Sequence, residues 1–206
     1  MTTQLLQGIG LSCIRDDRVL FSELNFCLQS KQILLLEGKN GSGKTSLLRI
    51  LCGFREPDAG QVNWGNEAIN DSSYYADMAY VGHLDGVKKE LTVLENLKMS
   101  LALGIAGQYS ISDALTKVHL QGYDDVLVQA LSAGQKRRLS LARLLITHNS
   151  LWILDEPFTS LDKQGIALIE SLMTEHCEGG GMIVLTSHHD ITLHNDVDVL
   201  RINLSA

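Results

Sequence analysis

The chain has 206 residues, 45% of them hydrophobic, which suits one folded domain with a substantial core. Its formal charge is −7 and it carries no long run of Lys or Arg. That balance excludes nucleic acid as the main partner, because gripping a phosphate backbone needs a basic footprint.

Cys13, Cys27, Cys52 and Cys177 form neither a C-x-x-C pair nor a metal-ligand spacing, so reduced, buried thiols are expected and a disulfide frame is not. Met1-Thr2-Thr3-Gln4 does not open a basic-then-apolar leader. No apolar run approaches the ~20 residues that span a bilayer. Contact with a membrane is therefore expected only through partners.

In chain order, residues 5–13 and 19–28 read as a strand pair around a polar turn at 15–18, an antiparallel β layer. Residues 33–36 form a short apolar run, the mark of a strand buried on both faces. Gly38-Lys39-Asn40-Gly41-Ser42-Gly43-Lys44-Thr45 follows and matches G-x-x-x-x-G-K-S/T, and a helix at 46–51 comes next. Strand, loop and helix are the context this phosphate-binding motif needs. Glycines let the backbone wrap an anion without Cβ clashes, and successive N–H groups at a helix start face the phosphates. The candidate nucleotide contacts are Gly38, Asn40, Gly41, Ser42, Gly43, Lys44, Thr45 and Ser46. Lys44 reaches toward the β- and γ-phosphates, and the Thr45 hydroxyl is a candidate Mg2+ ligand.

Residues 91–130 are mostly helical in character and interrupt the strand–helix pattern. A helical lobe of about residues 91–140, inserted into a single domain spanning 1–206, is expected. Leu131-Ser132-Ala133-Gly134-Gln135 then precedes a basic amphipathic helix ending at Ile146. Ser132 and Gln135 have the spacing of a capping box. The same hydroxyl, glycine N–H and helix start can equally receive a terminal phosphate. Residues 150–156 form an apolar strand ending in Asp155 and Glu156. Two acids after a strand can mark a solvated turn. Beside a phosphate loop, Asp155 is a candidate metal ligand and Glu156 a candidate general base toward water. A helix at 165–177, with Ile166, Ile169, Leu172 and Met173 on one face, leads to a strand at 182–185 and then Ser187-His188. Alone, His188 reads as a turn histidine.

Taken together, the phosphate loop, residues 131–135, Leu154-Asp155-Glu156-Pro157, Ser160-Leu161-Asp162 and His188 resemble the ABC ATPases in order and spacing, following that family's LSGGQ, LDEP, SLD and switch histidine. The resemblance spans nearly the whole chain. It implies an α/β P-loop NTPase fold, an ABC-type nucleotide-binding domain with an N-terminal antiparallel β layer and an inserted helical lobe. It implies ATP as the nucleotide, Mg2+ held by Thr45 and Asp155, and Lys44, Glu156 and His188 as catalytic residues. It also implies a head-to-tail homodimer in which Ser132, Gly134, Gln135 and Asp162 meet the ATP of a second cassette.

Two positions depart from the family pattern. Arg15 stands where many members carry an aromatic residue that stacks on adenine; a guanidinium can also stack on a base. His83 stands where the family places a Gln, and reads either as a loop residue or as a group acting at the site. With Gly86-Val87-Lys88-Lys89-Glu90-Leu91-Thr92 and Trp152, these departures resemble one branch, the ATP-binding subunits of the haem exporter of bacterial cytochrome c maturation. That branch implies a peripheral protein on the cytoplasmic face of the inner membrane, bound to the integral membrane subunits of the cytochrome c maturation system. Its ATP hydrolysis powers haem export or release of a haem-loaded chaperone. The alternative is the ATPase of another small ABC transporter with a different cargo. Partner contact is expected near residues 83–96. No C-x-x-C-H occurs, and His176, His188 and His189 read as helix-end and switch residues rather than haem ligands.

Overall fold

The computed structural model describes residues 5–69, 72–193 and 197–205. Strands β1 (Leu5–Arg15) and β2 (Arg18–Gln29) pair antiparallel, with Arg15 opposite Arg18. The two-residue turn between them, Asp16-Asp17, has φ of 50° and 59°. Positive φ at both positions matches the right-handed twist of a hairpin. After β3 (Gln32–Glu37), strands β4 (Ala59–Trp64) and β5 (Glu67–Ala68) extend the first sheet to the order β2-β1-β4-β5.

The second sheet is parallel. Together with β3 it contains β6 (Met78–Val81), β7 (Leu151–Asp155), β8 (Met182–Thr186) and β9 (Asp198–Asn203), in the order β6-β7-β8-β3-β9. The apolar runs expected at 33–36, 151–154 and 182–185 are its three central strands. Alternate side chains divide between two cores. Leu34, Leu36, Ile153 and Val184 pack with α1 (Lys44–Leu51) and with Leu6, Leu11 and Leu28 of the antiparallel sheet. Ile33, Leu35, Trp152 and Leu185 pack on the opposite face with α5 (Ala133–Ile146) and α6 (Lys163–Glu178), which α2 (Ser72–Asp77), α3 (Val93–Leu103) and α4 (Ile111–Lys117) precede in the chain. Covering both faces is why these strands are continuously apolar instead of alternating.

Between β6 and α5 the chain is about two fifths helix, less than the mostly helical character expected for residues 91–130. The helix α3 opens on a capping box, in which Thr92 Oγ1 accepts the Glu95 N–H at 3.2 Å and Glu95 Oε2 accepts the Thr92 N–H at 2.8 Å. Val93, Leu97, Ala114, Leu115 and Val128 bury themselves against Leu139 of α5. Arg143 of α5 donates to Ser100 Oγ (3.0 Å) and to the Gly86 carbonyl (2.9 Å), tying α3 and the loop before it to the same helix. On the far side, Lys117 pairs with Glu175 of α6 at 2.7 Å, and the Tyr109 hydroxyl donates to the same carboxylate. Every strand of the parallel sheet ends on one side, and there the phosphate loop, Asp155 and Thr186 meet.

Candidate functional site

The loop leaves β3 at Gly38, whose φ of +141° an L side chain rarely adopts, and a Cβ there would lie 2.6 Å from Ser42 Oγ. It closes at Gly43, φ 104°, directly before the first turn of α1. Lys44 is 8% exposed, and its Nζ donates to the Gly38 carbonyl at 2.6 Å, folding the ammonium over the loop. The Thr45 hydroxyl donates to Asp155 Oδ2 at 3.3 Å.

Asp155 is buried, and its other oxygen is already committed: Oδ1 accepts the Thr186 hydroxyl at 2.8 Å. Thr186 Oγ1 in turn accepts the Glu156 N–H at 2.9 Å. This hydroxyl therefore locks both acids at the end of β7 and leaves Asp155 Oδ2 turned to Thr45. Glu156 itself has φ +50°, a conformation uncommon for a residue with a side chain. Its carboxylate Oε1 lies 3.5 Å from Nε2 of His188, which is 58% exposed.

One cleft of about 830 Å3 gathers Lys44, Thr45, Asp155, Glu156 and His188, with the loop residues Asn40, Gly41, Gly43 and Ser46. His83 and Thr159 also line it. Its remaining wall is Arg15, Asp16, Arg18 and Leu20, and no Phe, Tyr or Trp contributes to it. The backbone that presents Arg15 is clamped: Asp58 Oδ2 accepts the Ile14 N–H at 2.8 Å, and Arg55 donates to the Ile14 carbonyl at 2.6 Å.

Ser132, Gly134, Gln135 and Asp162 do not line this cleft. Ser132 Oγ accepts the Gln135 N–H at 3.2 Å and Gln135 Oε1 accepts the Ser132 N–H at 2.9 Å, so the capping box is formed. Gly134 faces Ser160, whose carbonyl would sit 3.1 Å from a Cβ at that position. Asp162 caps α6 by accepting the Gly165 N–H at 2.8 Å. The start of α5 and the turn at 160–162 thus form one neighbouring surface, outside the cleft that holds the phosphate loop.

Sequence reasoning passed over two residues. Arg137 is 3% exposed and donates to the carbonyls of Asp155 (3.0 Å), Glu156 (2.8 Å), Pro157 (3.0 Å) and Gly82 (2.9 Å). It binds α5, the end of β7 and the loop carrying His83 into one unit. Burial pulls its pKa down, opposed by the nearby charges of Asp85, Asp155 and Glu156. The available signal was an Arg on the stripe that Leu141 and Leu144 continue. Thr186 is the other. It is the last residue of the apolar strand β8, where a hydroxyl at 0% exposure needs a partner.

A family model described as ABC transporter matches residues 21–159. The cytochrome c biogenesis ATP-binding export protein CcmA of Methylococcus capsulatus is 49% identical, across 94% of this chain and 96% of its own length. The protein of the same name from Shewanella oneidensis is 46% identical, across 97% and 94%. Among solved structures, a putative ABC transporter ATP-binding protein from Pyrococcus furiosus superposes with a TM-score of 0.82 at 23% identity, covering 97% of each chain.

Proposed function

The chain belongs to the ABC transporter family as an ATP-binding subunit, and from that premise we propose that its ATP hydrolysis drives a membrane complex of cytochrome c biogenesis. The observation that carries the reading is the single cleft in which the phosphate loop, Asp155, Glu156 and His188 converge, with the start of α5 left outside it.

The loop N–H groups and the first turn of α1 bind the phosphates of ATP, and Lys44 turns from the Gly38 carbonyl to the β- and γ-phosphates. Thr45 Oγ1 and Asp155 Oδ2 fit a magnesium ion. The two oxygens lie 3.3 Å apart and are the hard donors that magnesium would take. Bound there, the ion would neutralise phosphate charge. Glu156 orients a water and takes its proton as the water oxygen attacks the γ-phosphorus and the bond to the β-phosphate oxygen breaks. His188, whose Nε2 stands 3.5 Å from Glu156 Oε1, donates to the γ-phosphate.

Ser132, Gly134, Gln135 and Asp162 serve the ATP of a second copy of the chain. The Ser132 hydroxyl and the N–H groups at the start of α5 meet that γ-phosphate, as a helix start meets any anion. Two copies packed head to tail complete two such sites, with the lobe of about residues 91–140 carrying the receiving surface. Membrane subunits dock beside the same lobe. The support is a groove of about 430 Å3 lined by Tyr75, Tyr80, Met99, Leu103 and Ile105. Leu84 is 83% and Leu103 84% exposed, unusual for large apolar side chains. The chain sits against those subunits on the cytoplasmic face of the inner membrane; among the described residues, no helix is long and apolar enough to cross a membrane.

The test is complementation. A strain lacking the gene is given back the parent chain, Lys44→Ala or Glu156→Gln, and covalent haem in its periplasmic cytochromes is measured. The parent should restore it and both variants should fail. Normal cytochromes in the deleted strain would point to a different cargo.

A further inference from the structure

The strand β9 runs beside β3 as far as the pair Glu37–Asn203. Beyond it, β3 turns into the phosphate loop, and residues 204–205 stay alongside. The Leu204 N–H donates to the Glu37 carbonyl at 2.9 Å, and the Leu204 side chain is buried in the core shared with Leu36 and Leu47. The Lys39 N–H then donates to Ser205 Oγ at 2.7 Å. Asn203 Oδ1 accepts the Ser205 N–H at 2.9 Å and sets the turn that brings the hydroxyl there. A Cβ on Gly38 would stand 2.9 Å from Ser205 Oγ, so the hydroxyl packs on the very residue at which the loop turns.

We propose that Ser205 is a positioning residue of the nucleotide site: its hydroxyl holds the Lys39 amide and so fixes the entry of the phosphate loop. The proposal rests on the reading of that loop as the ATP-phosphate site. The Gly38–Lys39 peptide lies just before the N–H groups that turn toward phosphate. With its N–H held, the loop waits in the binding conformation. Without that bond the peptide can rotate toward water, only a fraction of molecules is competent, and apparent affinity falls by that fraction. Leu204 keeps β9 docked by its own burial and backbone bond, so removing the Ser205 hydroxyl reaches the loop and spares the fold.

The experiment compares the full-length parent with Ser205→Ala, Ser205→Thr and Lys44→Ala. It uses calorimetric ATP binding, steady-state hydrolysis, thermal unfolding and amide hydrogen exchange at Lys39. Ser205→Ala should raise Kd and KM about three- to tenfold, the span of one net hydrogen bond, and leave kcat and the unfolding midpoint near the parent's. Exchange at Lys39 should quicken, and Ser205→Thr should restore all three. Parent-like affinity in Ser205→Ala, with binding lost in Lys44→Ala, overturns the inference and leaves the ATP reading standing. Weaker binding that tracks a lower midpoint and is not rescued by Thr also overturns it. A parent chain that binds no ATP removes the reading and the inference together.

Discussion

The imidazole Nε2 of His188 lies 3.5 Å from Glu156 Oε1, across the mouth of the cleft that holds the phosphate loop. The pair joins the ends of two adjacent strands, β7 and β8, and Thr186 fixes the backbone of Glu156 from the side. Glu156→Gln keeps the size and one acceptor oxygen and removes the base. ATP turnover should fall about 10²- to 10⁴-fold, and ATP binding should persist. Steady-state hydrolysis beside equilibrium binding checks this. Turnover near the parent's would remove Glu156 from the chemistry.

Arg137 predicts a larger structural effect. Its guanidinium satisfies four carbonyls, three of them in the Asp155–Pro157 segment. Arg137→Met fills similar volume and removes the guanidinium donors, leaving the Glu156 carbonyl with the Thr159 N–H at 3.2 Å. The cost should be about 2–4 kcal/mol in urea unfolding, the range for stripping partners from buried polar groups. ATPase activity should fall as well, because the two acids lose the group that holds their backbone.

Stability should depend on pH through His176. Its ring stacks on Trp152 at 3.9 Å and 11°, and burial pushes its pKa from the ordinary 6.5 down to about 4, outweighing backbone groups of Met182 and Ser150 that favour the charged form. Below pH 6.5 the unfolded chain takes a proton that the folded chain refuses. Stability is therefore full above that pH and is lost progressively as pH falls toward 4, by about 3 kcal/mol from this residue. Chemical unfolding between pH 7.5 and 4.5 measures it. His176→Phe, which keeps the stack, should flatten that part of the profile.

The base-binding wall gives a fourth expectation. With no Phe, Tyr or Trp in the cleft, Arg15, which shares that wall with Arg18, is a side chain able to stack on a purine, presented by the clamp of Arg55 and Asp58 on Ile14. Arg15→Ala should weaken ATP binding about three- to tenfold, and Arg15→Tyr should recover it. Unchanged affinity in Arg15→Ala would place the base elsewhere.

The three central parallel strands were legible because burial on both faces leaves uninterrupted apolar runs. The strands β4 and β9 were not: Ala59–Trp64 is exposed over its first three residues, Asp198–Asn203 is a half-exposed edge strand, and local pattern does not separate such segments from loops. The phosphate loop announces itself since its chemistry lies in a contiguous backbone. Residues 131–135 announce a helix start, but only the fold shows that this start lies away from the chain's own phosphate loop. Arg137 and Thr186 act on backbone atoms brought together from distant segments, and no local motif encodes such contacts.

The composite site between two copies is the central claim, and mixing two disabled chains tests it most directly. Lys44→Ala spoils the phosphate loop and Ser132→Arg spoils the receiving surface, so each homodimer should be inactive. In a mixed pair both lesions fall in one site and the other site is intact. ATPase activity should therefore reappear when the two purified variants are combined. Two inactive variants that stay inactive on mixing, or a Ser132→Arg chain that hydrolyses ATP like the parent, would contradict the account.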